Sequence, residues 1–282
     1  MPARHRANDA PTQAAREAVA GLTPAVVISG GSRGLGLALA KVFAARGSRV
    51  AIIARDQIAL TAAAHEIEVA TGVKATAIVC DVTSTSTFAT IAEQLQANRL
   101  YLDVLVNNAG IGLAGPFLSH DDHDIDRLIA INIASLTRLT RRALPDLIAR
   151  RRGGIINIAS LGAYVPGAHQ AAYYASKAYV LSLTEALATE CSGTGVKIAV
   201  AVPGPINTTF HANMGANHTL YRTLIPQMQA DRVARSIYLQ FTLGKRVILP
   251  GIVTPCLALA LKYLPHPITV PLVAWLLKKP TA

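Results

Sequence analysis

The stretch from Ala25 to Ala54 constrains the fold more tightly than any other part of the chain. Ala25-Val26-Val27-Ile28-Ser29 is a short, apolar, β-branched run of the kind that forms a buried strand. It passes directly into Gly30-Gly31-Ser32-Arg33-Gly34-Leu35-Gly36. A helical pattern follows, carried by Leu37, Leu39, Ala40, Val42 and Phe43, and it ends near Arg46-Gly47. Arg49 to Ala54 then reads as a second strand. Strand, glycine-rich turn, helix, strand is a βαβ unit. Its glycines permit a tight turn and close backbone approach, and the helix start offers unpaired N–H groups to a pyrophosphate.

The same alternation continues downstream. Ala75–Cys80, Asp103–Asn107, Gly154–Ile158, Lys197–Val202 and Arg246–Leu249 read as further strands, and helices fill the gaps, with Ser84, Asp121 and Asp231 near their starts. Repeated βα units imply a parallel sheet with helices on both faces. The 282 residues suit one such α/β unit with a sizeable core. Half of the residues are hydrophobic and only 5% are aromatic, so the core is built from Ala, Val, Ile and Leu. Cys80, Cys191 and Cys256 are odd in number and scattered, which suits a reducing compartment and a cytoplasmic location. His120 and His123 lie among Asp121, Asp122 and Asp124 at a solvated helix start, and no metal site is expected.

Tyr173-Tyr174-Ala175-Ser176-Lys177 carries the second informative spacing. On a helix, Tyr173 and Lys177 at i and i+4 share one face. A neighbouring ammonium lowers a phenol's pKa and makes it usable as an acid or base. Ser160, thirteen residues before Tyr173, offers a hydroxyl to a substrate oxygen that gains charge.

Together these residues resemble the short-chain dehydrogenase/reductase family, in its single-domain branch, from about Pro24 to Thr208. The family's Thr-Gly-x-x-x-Gly-x-Gly turn corresponds to Ser29–Gly36, with serine in the first place, and its Asn-Asn-Ala-Gly to Asn107-Asn108-Ala109-Gly110. Its helix asparagine corresponds to Asn132, its serine to Ser160, its Tyr-x-x-x-Lys to Tyr173 and Lys177, and its Pro-Gly to Pro203-Gly204, followed by Ile206 and Thr208. Tyr174 cannot take the place of Tyr173, because residue 178 is alanine.

The resemblance implies a Rossmann-type doubly wound sheet of seven parallel strands, with its switch point between strands one and four. It implies a catalytic set of Ser160, Tyr173, Lys177 and Asn132, the last holding a water that links Lys177 to solvent. It implies cofactor contacts from Gly30, Ser32, Arg33, Gly34, Leu35, Gly36, Asn108, Ala109, Gly110, Tyr173 and Lys177, with Asp81-Val82 at the adenine. The segment Pro203, Gly204, Ile206, Thr208 would fix a carboxamide.

An NAD site places an acid at the end of the second strand. Here that end is Ala54, followed by Arg55, with Arg33 in the turn as a second cation. Guanidinium groups suit a phosphate, so NADP is expected over NAD. Asp56 is the competing ribose acid, one register step away.

The formal charge is +11. Basic residues are not interleaved with aromatics, so nucleic acid is not an expected partner; an anionic cofactor or an anionic membrane surface fits better. Met1 to Thr23 is polar and Ala-rich, with Arg4, Arg6 and Arg16, lacks an apolar signal core, and reads as a flexible extension before the 24–250 domain. Residues 251–282 form an apolar C-terminal extension, with Trp275 beside Lys278 and Lys279. Pro250 and Gly251 at its start, and Pro255, Lys262, Pro265 and Pro267 within it, break the apolar stretch, so a simple membrane span is rejected. Three uses remain: subunit packing in a homodimer or homotetramer, a cover over the substrate pocket, or an interfacial helix lying in the membrane surface. The pocket itself is expected from Leu161–His169 and from Phe210 to about Met228, the latter as a mobile lid or a packed helix. His169 reads as a loop residue.

These features lead to an expected NADP-dependent oxidoreductase acting on an apolar ketone, aldehyde or secondary alcohol. A membrane-surface keto-lipid reductase and a catalytically silent NADP-binding regulator are the alternatives.

Overall fold

The computed structural model describes residues 11–216 and 219–278. The predicted Arg4, Arg6 and Lys279 lie outside the described residues. In chain order the elements are α1 (Gln13–Glu17), β1 (Thr23–Ser29), α2 (Gly34–Ala45), β2 (Arg49–Ala54), α3 (Gln57–Thr71), β3 (Thr76–Val79), α4 (Thr87–Ala97), β4 (Leu100–Asn107) and α5 (Asp122–Ile129). After a π-helical stretch, Ala130–Ser135, come α6 (Leu136–Arg150), β5 (Gly154–Ile158), α7 (Ala171–Glu190), β6 (Lys197–Ala201), β7 (Ile206–Asn207), α8 (Phe210–Asn213) and α9 (Leu220–Leu224). The chain continues through β8 (Met228–Gln229), α10 (Ala230–Thr242), β9 (Val247–Ile248), α11 (Val253–Tyr263) and α12 (His266–Leu277).

Seven parallel strands form one sheet in the order β3-β2-β1-β4-β5-β6-β9. The direction of winding reverses between β1 and β4, as expected, and the loops leaving these two strands part to open a crevice. Alternation along the strands divides the core. Ile28, Ile52 and Val106 pack with Leu39, Phe43, Leu60, Ile67 and Ile237 of α2, α3 and α10. Val27, Ile53 and Leu105 point the other way, to Ile91, Leu95, Leu139 and Leu147 of α4 and α6. Each such buried side chain contributes roughly 1.5–3 kcal/mol.

Several boundaries differ from expectation. β4 begins at Leu100 rather than Asp103, because Leu100, Tyr101 and Leu102 pair with Thr23, Pro24 and Ala25. The register slips at Ala25/Val26, leaving Asp103 as an unpaired extra residue whose carboxylate meets Arg152 Nε at 3.0 Å. The residue before α4 is Ser86, not Ser84, whose hydroxyl instead lies 2.9 Å from that of Ser86. Asp121 does cap α5, accepting from Asp124 N at 2.7 Å, whereas Asp231 sits inside the first turn of α10. β7 and β8 form a separate parallel pair. Thr12 N–H donates to Ala149 O, tying the α1 end to α6.

Candidate active site

The glycine turn is shaped by near-contacts that side chains would block. Gly30 and Gly34 hold positive φ angles of 65° and 57°, the left-handed region that glycine enters without strain. A Cβ on Gly36 would strike the Gly30 carbonyl oxygen and stand 2.5 Å from Asn108 Nδ2. Gly36 lets α2 close onto the turn, and it is not among the residues that line the crevice. Arg33 precedes α2 without a side-chain cap, so the first N–H groups of the helix stay available to an anion.

Ser29, which replaces the family's threonine, staples this turn to the end of β4. Its hydroxyl accepts from Asn108 N and Ala109 N, both at 3.0 Å, while Asn108 Nδ2 donates to Ser29 O and Gly30 O at 3.0 and 3.1 Å. Asn107 points into the core. Its Nδ2 donates to Thr140 Oγ1 (3.0 Å) and Asn157 Oδ1 (2.8 Å), and Asn157 Nδ2 donates to Thr184 Oγ1 (2.9 Å). This buried polar chain links β4 and β5 to α6 and α7.

One cavity of about 1230 Å³ runs from the turn to the catalytic candidates. Gly30, Ser32, Arg33, Gly34 and Leu35 line one end, beside Arg55, Asp81 and Val82. Asn108, Ala109 and Gly110 follow, then Ser160, Tyr173 and Lys177, with Pro203, Gly204, Ile206 and Thr208 opposite. Of the predicted residues only Gly36 and Asn132 are absent from its wall.

Near β2, Arg55 Nη1 lies 3.7 Å from Asp81 Oδ2, both partly exposed. Burial works to raise the Asp81 carboxyl. Hydrogen bonds from the Thr83 N–H and hydroxyl, and the guanidiniums of Arg55 and Arg127, outweigh it and hold the group below the usual carboxylate range. Arg127, on α5, was not singled out from sequence; nothing in its helical spacing marks it. Asp56 Oδ1 accepts from Ala59 N at 3.0 Å and caps α3.

Tyr173 and Lys177 stand one turn apart on α7, both buried. Ser160 follows β5 at the head of a 3₁₀ turn, Leu161–Tyr164, held by Leu161 N donating to Pro203 O at 3.0 Å. Burial pushes the Tyr173 phenol up to about 12, against a hydrogen bond with Ser160 that works to lower it. Burial also pulls the Lys177 ammonium down to about 8. Lys177 Nζ donates to Ile158 O at 2.9 Å and lies 5.7 Å from the Tyr173 ring centre. Where the spacing led to an expected lowering by Lys177, burial instead raises the phenol, and the bond with Ser160 is the influence that opposes it.

Asn132 sits in the π-helical stretch, where a widened turn is a common mark of function. Its Oδ1 accepts from Ile111 N (2.9 Å), and its Nδ2 donates to Ile111 O (2.8 Å) and Ser176 Oγ (3.0 Å). The side chain is committed to the loop after β4 and to α7, so it fixes where Tyr173 and Lys177 stand relative to that loop.

The remaining wall is apolar. Phe210 packs on Tyr173 with ring centres 5.7 Å apart, and Ala114 N donates to Met214 O at 3.0 Å, anchoring the 210–228 segment to the body. Tyr174 fills a slot that side chains on Gly162 and Gly167 would obstruct. His169 turns the loop with a φ of 65° and accepts from Gly115 N. The C-terminal helices close the far side: Leu257, Leu261, Val273 and Leu276 line the cavity, and Val273 and Leu277 pack with Tyr221 and Val165. Of the three uses considered for this extension, the structure places its inner face on the pocket.

Comparison with known proteins adds the lineage. A short chain dehydrogenase profile matches residues 24–219. The chain belongs to the short-chain dehydrogenase family. Ketoacyl reductase HetN from a Nostoc species is 37% identical over 184 residues, 65% of this chain and 64% of that relative, so the match leaves more than a third of the relative's length unspanned. A short-chain dehydrogenase from Sphingobium yanoikuyae, solved in complex with NADPH, is 30% identical with a TM-score of 0.72, covering 80% of this chain and 86% of that one. A bulky-bulky ketone specific alcohol dehydrogenase from Comamonas testosteroni is 27% identical with a TM-score of 0.69, covering 82% and 87%.

Proposed function

We propose that this member of the family is an NADP-dependent oxidoreductase that interconverts a bulky, apolar ketone or aldehyde and the matching alcohol. The observation that carries the reading is the shared cavity, in which the glycine turn, Ser160 and the buried Tyr173–Lys177 pair face one space. When bound, the nicotinamide dinucleotide supplies or receives the hydride.

This chain's residues fit that group. The uncapped start of α2, with Ser32, Gly34 and Leu35, would hold a pyrophosphate. Arg33 and Arg55 would hold a ribose phosphate, since Ala54 offers no acid and the Asp56 carboxylate is engaged at α3. Asp81 and Val82 would flank the adenine, and Asn108, Ala109 and Gly110 the adjoining ribose. Lys177 would bind the nicotinamide ribose, with Ile206 and Thr208 at the carboxamide. The NADPH complex of the Sphingobium relative supports the choice of cofactor.

Tyr173, held up to about 12, keeps its proton at neutral pH and can deliver it to a carbonyl oxygen as charge builds there. Ser160 would donate a hydrogen bond to the same oxygen. Asn132 acts as a positioning residue through Ile111 and Ser176. The apolar walls from Met214, Tyr221 and the C-terminal helices exclude water and suit a large hydrophobic substrate. Nicotinamide oxidation, followed by absorbance over a panel of small and bulky ketones, tests this. Turnover that favours bulky ketones is expected; NADPH binding without turnover of any carbonyl would refute it.

A further inference from the structure

The C-terminal helices are apolar on the wrong side as well as the right one. On α11 the inner stripe is Thr254, Ala258 and Leu261, and on α12 it is Thr269, Val273 and Leu277. A surface helix normally carries polar residues opposite such a stripe. Here the opposite stripe is Ile252, just before α11, with Cys256, Leu259 and Tyr263 on it, and Ile268, Pro271 and Trp275 on α12. These positions recur at intervals of three and four, so each set shares one helix face. Ile252, Leu259, Tyr263, Ile268 and Trp275 are between 52% and 89% exposed. Single exposed apolar residues need no explanation, but two aligned rows do.

The charge around these rows selects the occupant. After Asp231 the sequence contains no Asp or Glu, while Lys245, Arg246, Lys262, Lys278 and Lys279 are basic. Lys262 and Lys278 are exposed at the ends of α11 and α12, and Lys262 Nζ lies 5.7 Å from the Tyr263 ring centre. Tryptophan and tyrosine beside lysine, above an apolar row on helices that carry no carboxylate, suit the boundary between lipid headgroups and acyl chains. Among the described residues no helix is long and apolar enough to cross a membrane, so contact would be along the surface.

We propose that the outer face of α11–α12 docks on an anionic lipid bilayer, laying its apolar rows into the headgroup boundary while Lys262 and Lys278 meet lipid phosphates. The inner face of the same helices forms pocket wall, so docking brings the pocket close to a lipid phase. The proposal does not depend on the enzymatic reading, because its test uses no turnover.

Trp275 is the only tryptophan in the chain, so intrinsic fluorescence reports this face alone. Full-length protein is titrated with phosphatidylglycerol/phosphatidylcholine vesicles and with phosphatidylcholine vesicles, at low and high salt, and bound protein is recovered by flotation. The expected result is a blue shift and flotation with the anionic vesicles, weakened by salt. Lys262→Gln and Lys278→Gln should each lower the partition coefficient about fivefold. Tyr263→Ser combined with Ile268→Ser, both at exposed positions, should abolish the shift while leaving the Tm unchanged. Absence of flotation with anionic vesicles would overturn the proposal. So would binding untouched by all these substitutions. A third contrary result is a Trp275 emission already blue without lipid that turns red on dilution as a dimer dissociates, since a second copy would then cover the face.

Discussion

Removing the Arg55 guanidinium should change cofactor choice much more than stability. Arg55 and Arg33 are the cations on the cavity wall nearest in sequence to Ala54 and the glycine turn, with Arg127 of α5 beyond Asp81; at Ala54 an acid would serve an unphosphorylated ribose. A charge-assisted hydrogen bond contributes about 1.5–3 kcal/mol, or roughly 10- to 150-fold in affinity. The Arg55 side chain is 55% exposed, so solvent screening favours the lower part of that range. Loss of Arg55 also leaves Asp81 without its closest counter-charge, and that carboxylate would then repel a nearby phosphate. Arg55→Ala is therefore expected to weaken NADPH binding by about 10- to 30-fold and NADH binding by no more than about twofold. The Arg55–Asp81 pair is long and exposed and is worth at most about 1 kcal/mol, and Thr83 still holds Asp81, so the Tm should move by less than about 4 °C. Calorimetric titration of the variant with both nucleotides decides the matter. Equal losses for NADPH and NADH, or an unchanged NADPH affinity, would refute the assignment of Arg55 to the phosphate.

Tyr173→Phe keeps the ring that packs on Phe210 but removes the proton donor; turnover should fall about 10²- to 10⁴-fold with NADPH affinity nearly unchanged, as single-turnover and binding measurements would show. Carbonyl reduction should hold steady below pH 8 and decline above it, because burial brings Lys177 down to about 8 and its charge is lost as pH rises through that value; a flat rate profile to pH 10 would contradict this. Gly36→Ala would force backbone apart at Gly30 and disturb the Asn108 contacts, so overpacking of about 1–3 kcal/mol should lower the Tm by about 2–12 °C. The same variant should weaken both nucleotides alike, in contrast to Arg55→Ala.

The regular parts of this fold were legible because their signals are local. The runs 49–54 and 154–158 match strands to the residue, since each is built around a short β-branched core, Val50–Ile53 and Gly154–Ile158, that the structure buries. The glycine turn and the Tyr173–Lys177 spacing were equally plain, because a backbone requirement and a helical repeat both leave fixed intervals. Features that depend on distant partners were not readable. Asp103 looked like a strand start, yet it is the extra residue at a slip between β1 and β4. β7 and β8, at two residues each, are too short to show a period. Ser29 gave no sign that its hydroxyl would join two loops 79 residues apart. The phenol's acidity was misjudged for a related reason: sequence spacing places the ammonium nearby but cannot register how thoroughly water is removed from both groups. Likewise the C-terminal segment advertised its hydrophobicity without revealing that one side of it would become pocket wall.

The Thr140–Asn107–Asn157–Thr184 chain has a consequence for how this scaffold can vary. Four side chains from two strands and two helices bond one another through both amide nitrogens, with Asn107 Oδ1 left without a partner, in a place where losing a further bond is costly. Changing one member strands its neighbours, so tolerated replacements should arise as coordinated sets. The apolar part of the pocket lining, such as Leu257, Leu261, Val273 and Leu276, is held by packing rather than by side-chain hydrogen bonds and can drift residue by residue. The molecule thus joins a frame that resists piecemeal revision to a recognition surface that accepts it, a division that lets new specificities accumulate without renegotiating the architecture beneath them.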